Sequence, residues 1–384
     1  MAKKQEKQEK RKKQARHMND AWQKVRTPIG VDVGTAAVKV AQWDWGKARY
    51  GVCDLARGGA AGAGGRMANR AAVVRALRVA LKRADVRGRE AVLGVGGIQL
   101  TVRTLNLPEM APEELREAAR WEMADALGFD PSAAVIDYLD LDADSSMAQL
   151  SPAHMGISGG AEEGRPNEAL REVAASREPN SVLEADSNTF VAPANAGGKN
   201  VLAVAVEKTV VDDLVEAALD CGLEPVAVDI QPAALGRVLW FVETGGARNV
   251  AVIDVGATVT EVGFFREGRL AVFRAVPIGA GSLASGGEGA NSAIGSFTDD
   301  RLSQLVLEIT RSVNFFRAQS RWEAVDAVYL VGGGAGVPGL SDYLAAETGL
   351  TVRPAAAAAK VPRLLPPEVF GALGLALWEE AGRA

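Results

Sequence analysis

An internal repeat constrains this chain more than any other feature. Asp32-Val33-Gly34-Thr35-Ala36-Ala37-Val38-Lys39 and, far downstream, Asp254-Val255-Gly256-Ala257-Thr258-Val259-Thr260 follow one plan. An apolar strand ends at Asp-Val-Gly, a turn of small or hydroxylated residues follows, and a second strand begins. Each copy heads a succession of three strands, read from apolar runs and alternation: Ile29–Val33, Val38–Trp43 and Tyr50–Leu55, then Val250–Val255, Val259–Phe265 and Leu270–Val276. One Asp-x-Gly after a strand is an ordinary β-turn, because both residue types favour turns. Two copies at the heads of matching meanders predict a duplicated α/β fold.

The rest of the chain fits that plan. Helical spacing marks 68–84, 112–127 (Leu115, Ala119, Met123 and Leu127 on one face), 209–220, 299–318 with Thr298 as N-cap, 339–348 capped by Gly349, and 367–380. Further strands are expected at 91–96, 135–139, 201–206, 225–230 and 327–331. Residues 143–199 lose all periodicity and are dominated by Ala, Ser, Gly, Pro and Asn, which predicts a disordered insertion within a loop. Residues 1–27 carry ten Lys or Arg against three acidic residues, while the whole chain has a net charge of −5. A basic tail on an acidic body argues against a broad nucleic-acid face. The tail reads as a solvated arm or as a contact for anionic lipid.

Two cysteines, Cys53 and Cys221, and two histidines, His17 and His154, exclude a disulfide scaffold and a His-rich metal site. No uncharged apolar run reaches the roughly 18 residues of a membrane span, and the N-terminus lacks the apolar core of a secretory signal. The expectation is a protein of the reducing cytoplasm.

The repeated hairpin suits a phosphate. A tight Gly turn points backbone N–H groups into one concavity, and Thr hydroxyls add donors. An acidic residue at the strand end can hold Mg2+, usually through water. Two such hairpins facing each other would grip a nucleotide's phosphates from both sides. A third element is Tyr329-Leu330-Val331-Gly332-Gly333-Gly334-Ala335-Gly336-Val337-Pro338-Gly339-Leu340. Here a buried strand runs into backbone without side chains and then a helix start, so a flat base or a phosphate can approach closely.

In this order the three elements resemble the phosphate-1, phosphate-2 and adenosine motifs of the actin-like ATPase superfamily. Finer stretches resemble the PilM family of type IV pilus assembly proteins, in the FtsA-like branch. These are Leu105-Asn106-Leu107-Pro108, Ala119-Arg120-Trp121-Glu122, Asp137-Tyr138, Val204–Lys208, Gly222–Asp229 and Leu307–Arg317. The resemblance covers about 28–142 and 200–378. FtsA itself shares the nucleotide motifs but not the Arg-Trp-Glu and Glu-Ile-x-Arg-Ser stretches.

The resemblance implies the ribonuclease H-like duplicated core of the actin-like ATPases, with an inserted FtsA-like 1C subdomain. Subdomain IA would comprise 28–88, 231–245 and 367–382. The insertion would span 89–230 and domain II 248–362. ATP would lie in the cleft between the halves, with Mg2+ near Asp32 and Asp254. Asp32, Gly34, Thr35 and Lys39 would belong to phosphate-1, and Asp254, Gly256, Thr258 and Thr260 to phosphate-2. Gly332, Gly333, Gly334 and Pro338 would form the adenosine motif. Gln231, just before the helix leading into the second half, would position a water for attack and act with Asp254 in catalysis. Its other reading is a Gln at a helix start. The implied partner is a PilN-like single-span inner-membrane protein, docked through its cytoplasmic N-terminal peptide alongside other pilus assembly components. The expected place is the inner-membrane face of the cytoplasm. A cell-division scaffold like FtsA and a catalytic kinase or ATPase of the same fold are the alternatives.

Some positions depart from the pattern. Ala36 and Ala37 stand where relatives often carry Ser, and 279–297 is Gly- and Ser-rich where relatives carry Thr at a helix start. ATP binding with at most slow hydrolysis is the consequence. Trp121 is expected as a packing anchor on its helix, with the lining of a peptide groove as the other role. Cys53 and Cys221 are expected as buried apolar fillers, and Glu308 with Arg311 as a surface pair.

Overall fold

The computed structural model describes residues 26–45, 47–55, 67–141, 198–242, 249–266, 269–283, 300–319, 325–355 and 365–378. The basic tail up to residue 25, nearly all of the 143–199 insertion, the 58–65 loop and Thr298 lie outside them.

The first half opens with β1 (Ile29–Val33), β2 (Ala37–Asp44) and β3 (Lys47–Asp54), followed by α1 (Arg70–Ala84) and β4 (Glu90–Val95). A 3-10 turn at Gly97–Gln99 leads into β5 (Thr101–Leu107), α2 (Pro112–Ala124), β6 (Ala134–Asp140) and β7 (Lys199–Glu207). Then come α3 (Lys208–Asp220), β8 (Glu224–Ile230) and α4 (Gln231–Val242). The second half contains β9 (Asn249–Val255), β10 (Thr260–Arg266), β11 (Arg269–Val276), the short α5 (Ala280–Leu283), α6 (Asp300–Gln319), β12 (Ala327–Val331), α7 (Leu340–Thr348) and β13 (Val352–Pro354). The short α8 (Phe370–Ala376) follows a 3-10 turn at Pro367–Val369.

The repeat read in the sequence is a repeat of topology. One five-stranded sheet has the order β3-β2-β1-β4-β8 and the other β11-β10-β9-β12-β13. In each, the first three strands form an antiparallel meander and the last two add in parallel. The inner strands β9 and β12 are near-continuous apolar runs because both faces are covered. Between β4 and β8 the chain builds a third sheet, β5-β7-β6, wholly antiparallel, with α2 packed on one face through Leu115, Ala118, Ala119 and Met123.

Local signals account for the helix ends. Asn69 caps α1, its side chain accepting from the Ala72 N–H at 2.9 Å. Pro112 opens α2, where Glu114 accepts from the Ala111 N–H at 3.1 Å. Gly349 ends α7 in the left-handed conformation, φ 65°. Strand β5 was not among the expected elements, because its alternation slips phase at Thr104 and Leu105, both buried; pairing along the length of β7 supplies what local pattern lacks. Strand β13 is three residues long and escapes any periodicity argument. Helix α2 ends at Ala124, short of the expected Leu127.

Helix α8 is buried along its whole length and packs on α4, β1, β2 and β4. Backbone contact makes this possible: a Cβ on Gly374 would lie 1.9 Å from the Ala234 carbonyl oxygen. Arg237 of α4 donates from Nη2 to Asp229 at the end of β8 and from Nε to the Gly374 carbonyl at 3.1 Å. This buried pair pins β8, α4 and α8 together. Around the second sheet, α6 lays Leu302, Leu305, Ile309, Val313 and Phe316 on the core, with Phe316 stacked on Phe264. Among the described residues no helix is long and apolar enough to cross a membrane.

Candidate functional site

The two Asp-Val-Gly turns close in the same way. The Gly34 N–H donates to the Ala37 carbonyl at 3.0 Å and the Gly256 N–H to the Val259 carbonyl at 2.9 Å. They face each other across a cleft of about 640 Å3, a size suited to a small-molecule ligand. The turns touch across it: Thr35 Oγ1 lies 3.1 Å from Thr258 Oγ1. The cleft is lined by Asp32, Gly34, Thr35, Lys39, Gln231, Asp254, Gly256, Thr258, Gly332 and Gly333, together with Glu261. Three sequence-derived candidates are not on its wall. Thr260 is fully buried and donates to the Ile278 carbonyl at 2.7 Å, which fixes the β11–α5 connection. Gly334 is packed under Val255, and Pro338 lies beyond the 3-10 turn at Gly333–Gly336.

The charges are arranged around Lys39. It stands directly across from Asp32 in the β1–β2 ladder and donates to Asp32 Oδ2 at 2.9 Å. Burial works against its charge, but the charge and hydrogen bond of Asp32, backed by Asp254 and Glu261, raise its pKa above the usual lysine value. Burial lifts the Asp254 carboxyl to about 6; the Lys39 charge opposes the rise and Asp32 adds to it. Glu261 stands directly across from Asp254 in the β9–β10 ladder. Burial first, and then the Asp254 charge, push it up to about 8, while a hydrogen bond from the Gly97 N–H pulls the other way.

Gln231 is the first residue of α4, not the residue before it, and is buried. Its Oε1 has no hydrogen-bond partner within the protein. The space it occupies exists because Gly94 and Gly371 lack side chains: added Cβ atoms would lie 2.7 Å from Nε2 and 2.6 Å from Oε1. A buried amide oxygen without a partner, on the wall of a cleft, is suited to hold a ligand or a water. Gly332 has φ 83°, and a Cβ there would lie 2.1 Å from Asp254 Oδ1, so the third motif runs hard against the second turn.

As for a metal, no group of three or more His, Cys, Asp and Glu side chains gathers among the described residues. Asp32 and Asp254 share the cleft, and Mg2+ is commonly held by one or two carboxylates with phosphate and water completing its shell. The donor set fits that manner of binding and not an all-protein cage.

Glu261 was absent from the sequence-derived site. The signal for it was present: it follows Asp254 at the same spacing at which Lys39 follows Asp32, so both are cross-strand partners of the strand-end aspartate. Trp121 is 55% exposed and is therefore no packing anchor; the apolar face of α2 is made by smaller residues. Cys53 and Cys221 are half-buried rather than fully buried. Arg311 is exposed and binds Glu308 at 2.7 Å, but Glu308 is mostly covered and also binds Arg274.

No family model matches the chain, and no curated protein matches it. Among solved structures, the PilM-PilN type IV pilus biogenesis complex matches with TM-score 0.64 and 22% identity, over 91% of this chain and 98% of that one. The ethanolamine utilization protein EutJ of Carboxydothermus hydrogenoformans matches with TM-score 0.44 and 15% identity, over 93% and 90%. A Bacteroides thetaiotaomicron protein with an actin-like ATPase fold matches with TM-score 0.49 and 8% identity, over 91% and 95%. The duplicated sheets and the first of these likenesses show the fold alone: this chain shares the fold of the matched chain of the PilM-PilN complex.

Proposed function

We propose that this chain is a nucleotide-dependent assembly protein of a type IV pilus or related secretion machine. It binds ATP with Mg2+ between the two turns and docks the cytoplasmic N-terminal peptide of a PilN-like single-span inner-membrane protein. The carrying observation is the meeting of the two Asp-Val-Gly turns, Thr35 against Thr258, over a cleft that also holds Lys39 and the unpartnered Gln231 oxygen. Turn N–H groups and the Lys39 ammonium supply positive potential for phosphates. Asp32 and Asp254 would hold Mg2+, and Gly332 with Gly333 leave room for the nucleoside. Mg2+ would neutralise phosphate charge beside three carboxylates.

The likeness to PilM in its complex with PilN favours the pilus reading over a kinase. The same cleft continues past Val52, Asp54, Met67, Val210, Asp213 and Leu214, between β3 and α3, as an arm of mixed apolar and acidic lining suited to a peptide. In this reading the protein sits at the inner-membrane face through its partner, aided by the basic tail. The unpartnered Gln231 oxygen favours slow hydrolysis as an added activity, through an oriented water.

Equilibrium binding of MgATP to the wild type and to Asp32→Ala and Asp254→Ala tests the cleft. We expect each substitution to weaken binding at least tenfold; equal affinity in all three proteins contradicts the reading. Titration of a synthetic N-terminal peptide of the PilN-like partner, with and without MgATP, tests the docking. A peptide that binds neither form removes the pilus assignment and leaves a nucleotide-binding protein.

A further inference from the structure

We propose that Glu261 is the contact through which the cleft acts on the inserted sheet β5-β7-β6. The idea rests on the nucleotide reading of the cleft and adds a route by which the bound ligand is felt elsewhere. Glu261 belongs to the second half, on β10, yet its Oε1 accepts from the N–H of Gly97 in the first half. Gly97 begins the 3-10 turn that joins β4 of the first core sheet to β5 of the inserted one. The inserted unit therefore hangs from a residue held by a side chain of the opposite half.

The surroundings favour a specific contact. Gly97 adopts φ 75°, which orients its N–H in a way that residues with a Cβ rarely reach. The neighbouring Gly96 lacks a side chain where one would lie 2.9 Å from Glu261 Oε1. Glu261 is 9% exposed, so the bond is sheltered from water. Strand β11 of the second half packs against both the 3-10 turn and β5, which gives the contact a mechanical path into the sheet. Thr35–Thr258, another contact across the cleft, is exposed and touches only the turns.

MgATP seated between the turns would bring Mg2+ to Asp254, the residue Glu261 faces, and draw the Glu261 carboxyl away from the Gly97 N–H. The hold on Gly97 loosens, the turn relaxes, and the inserted sheet moves relative to the second half. Nucleotide occupancy thereby changes the surface that carries α2 and the exposed Trp121.

Amide hydrogen exchange on the full chain tests this, comparing wild type, Glu261→Asp and Glu261→Gln. Without nucleotide, Glu261→Asp is too short to reach Gly97, and exchange over 97–107 should rise at least fivefold. Glu261→Gln keeps a carbonyl oxygen at the same reach and should stay within twofold of wild type. Exchange in β2 and β3 should be unchanged in all three, which separates the contact from general destabilisation. With MgATP, and with binding measured in the same samples, exchange over 97–107 should rise about threefold or more in wild type and hold steady in Glu261→Gln. Wild-type exchange in ligand-free Glu261→Asp overturns the contact. A wild type that binds MgATP with no change over 97–107 overturns the coupling. A failure to bind MgATP would instead strike at the nucleotide reading, while the ligand-free comparison still decides the contact.

Discussion

The two hairpins have the same backbone and opposite electrostatics. In each, the strand-end aspartate stands directly across the ladder from one residue of the next strand: Lys39 for Asp32 and Glu261 for Asp254. The first pair is an ion pair at 2.9 Å. The second is two carboxyls of like charge, in a place where neither is well hydrated, and both titrate high, at about 6 and about 8. Like charges directly opposed on adjacent strands are destabilising. One backbone plan thus carries two opposite charge patterns. One wall of the cleft is settled by itself, and the other carries excess negative charge that a cation, a proton or the Gly97 N–H must relieve.

The sharpest way to break the comparison is to remove its one cation. Lys39→Ala leaves Asp32, Asp254 and Glu261 facing each other without a counter-charge. We expect a loss of about 3–5 kcal/mol in denaturant unfolding, the usual cost of stripping one partner from a buried pair, and loss of MgATP binding. Second comes Glu261→Gln, which removes the like charge. The folded pKa of about 8 lies above the ordinary 4.5, so the stability Glu261 contributes is present at low pH and lost as pH rises through about 8. The variant should match wild type near pH 4 and exceed it on the order of 1–3 kcal/mol by pH 8 to 9. A constant difference across that range would place the charge elsewhere. Third, Thr258→Val removes the hydroxyl contact between the turns and should cost about 1 kcal/mol or less in stability. It should weaken MgATP binding by less than the aspartate substitutions do. The smallest effect on stability is expected for Trp121→Ala, whose side chain lies mostly in water: within about 0.5 kcal/mol in unfolding, with titration of the partner peptide unchanged because the peptide arm lies between β3 and α3.

Most of the fold could be read from the chain because duplication and periodicity are local signals repeated. The Asp-Val-Gly turns, the meanders and the buried stripe of α6 all follow from spacing alone. What escaped depends on tertiary company. Strand β5 slips phase at Thr104 and Leu105 and is made a strand by β7. Trp121 looks like core by residue type, but the face of α2 that is buried belongs to Leu115, Ala119 and Met123. Thr260 sits in the right motif, yet its hydroxyl is used inside the hairpin's own base. Glu261 was passed over because a glutamate among Thr260, Val262 and Phe264 reads as a solvent-facing residue of an alternating strand. It is instead buried by the opposite half, whose approach no local pattern announces.

The central claim is that a nucleotide's phosphates lie between the turn at Thr35 and the turn at Thr258. The most direct test is a Thr35→Cys, Thr258→Cys protein with Cys53 and Cys221 changed to Ser. The hydroxyls now lie 3.1 Å apart, so the introduced sulfurs are within reach of a disulfide. We predict that the reduced protein binds MgATP, that bound MgATP slows oxidation of the pair, and that the oxidised protein does not bind until it is reduced again. An oxidised protein that binds MgATP as tightly as the reduced one would contradict the account.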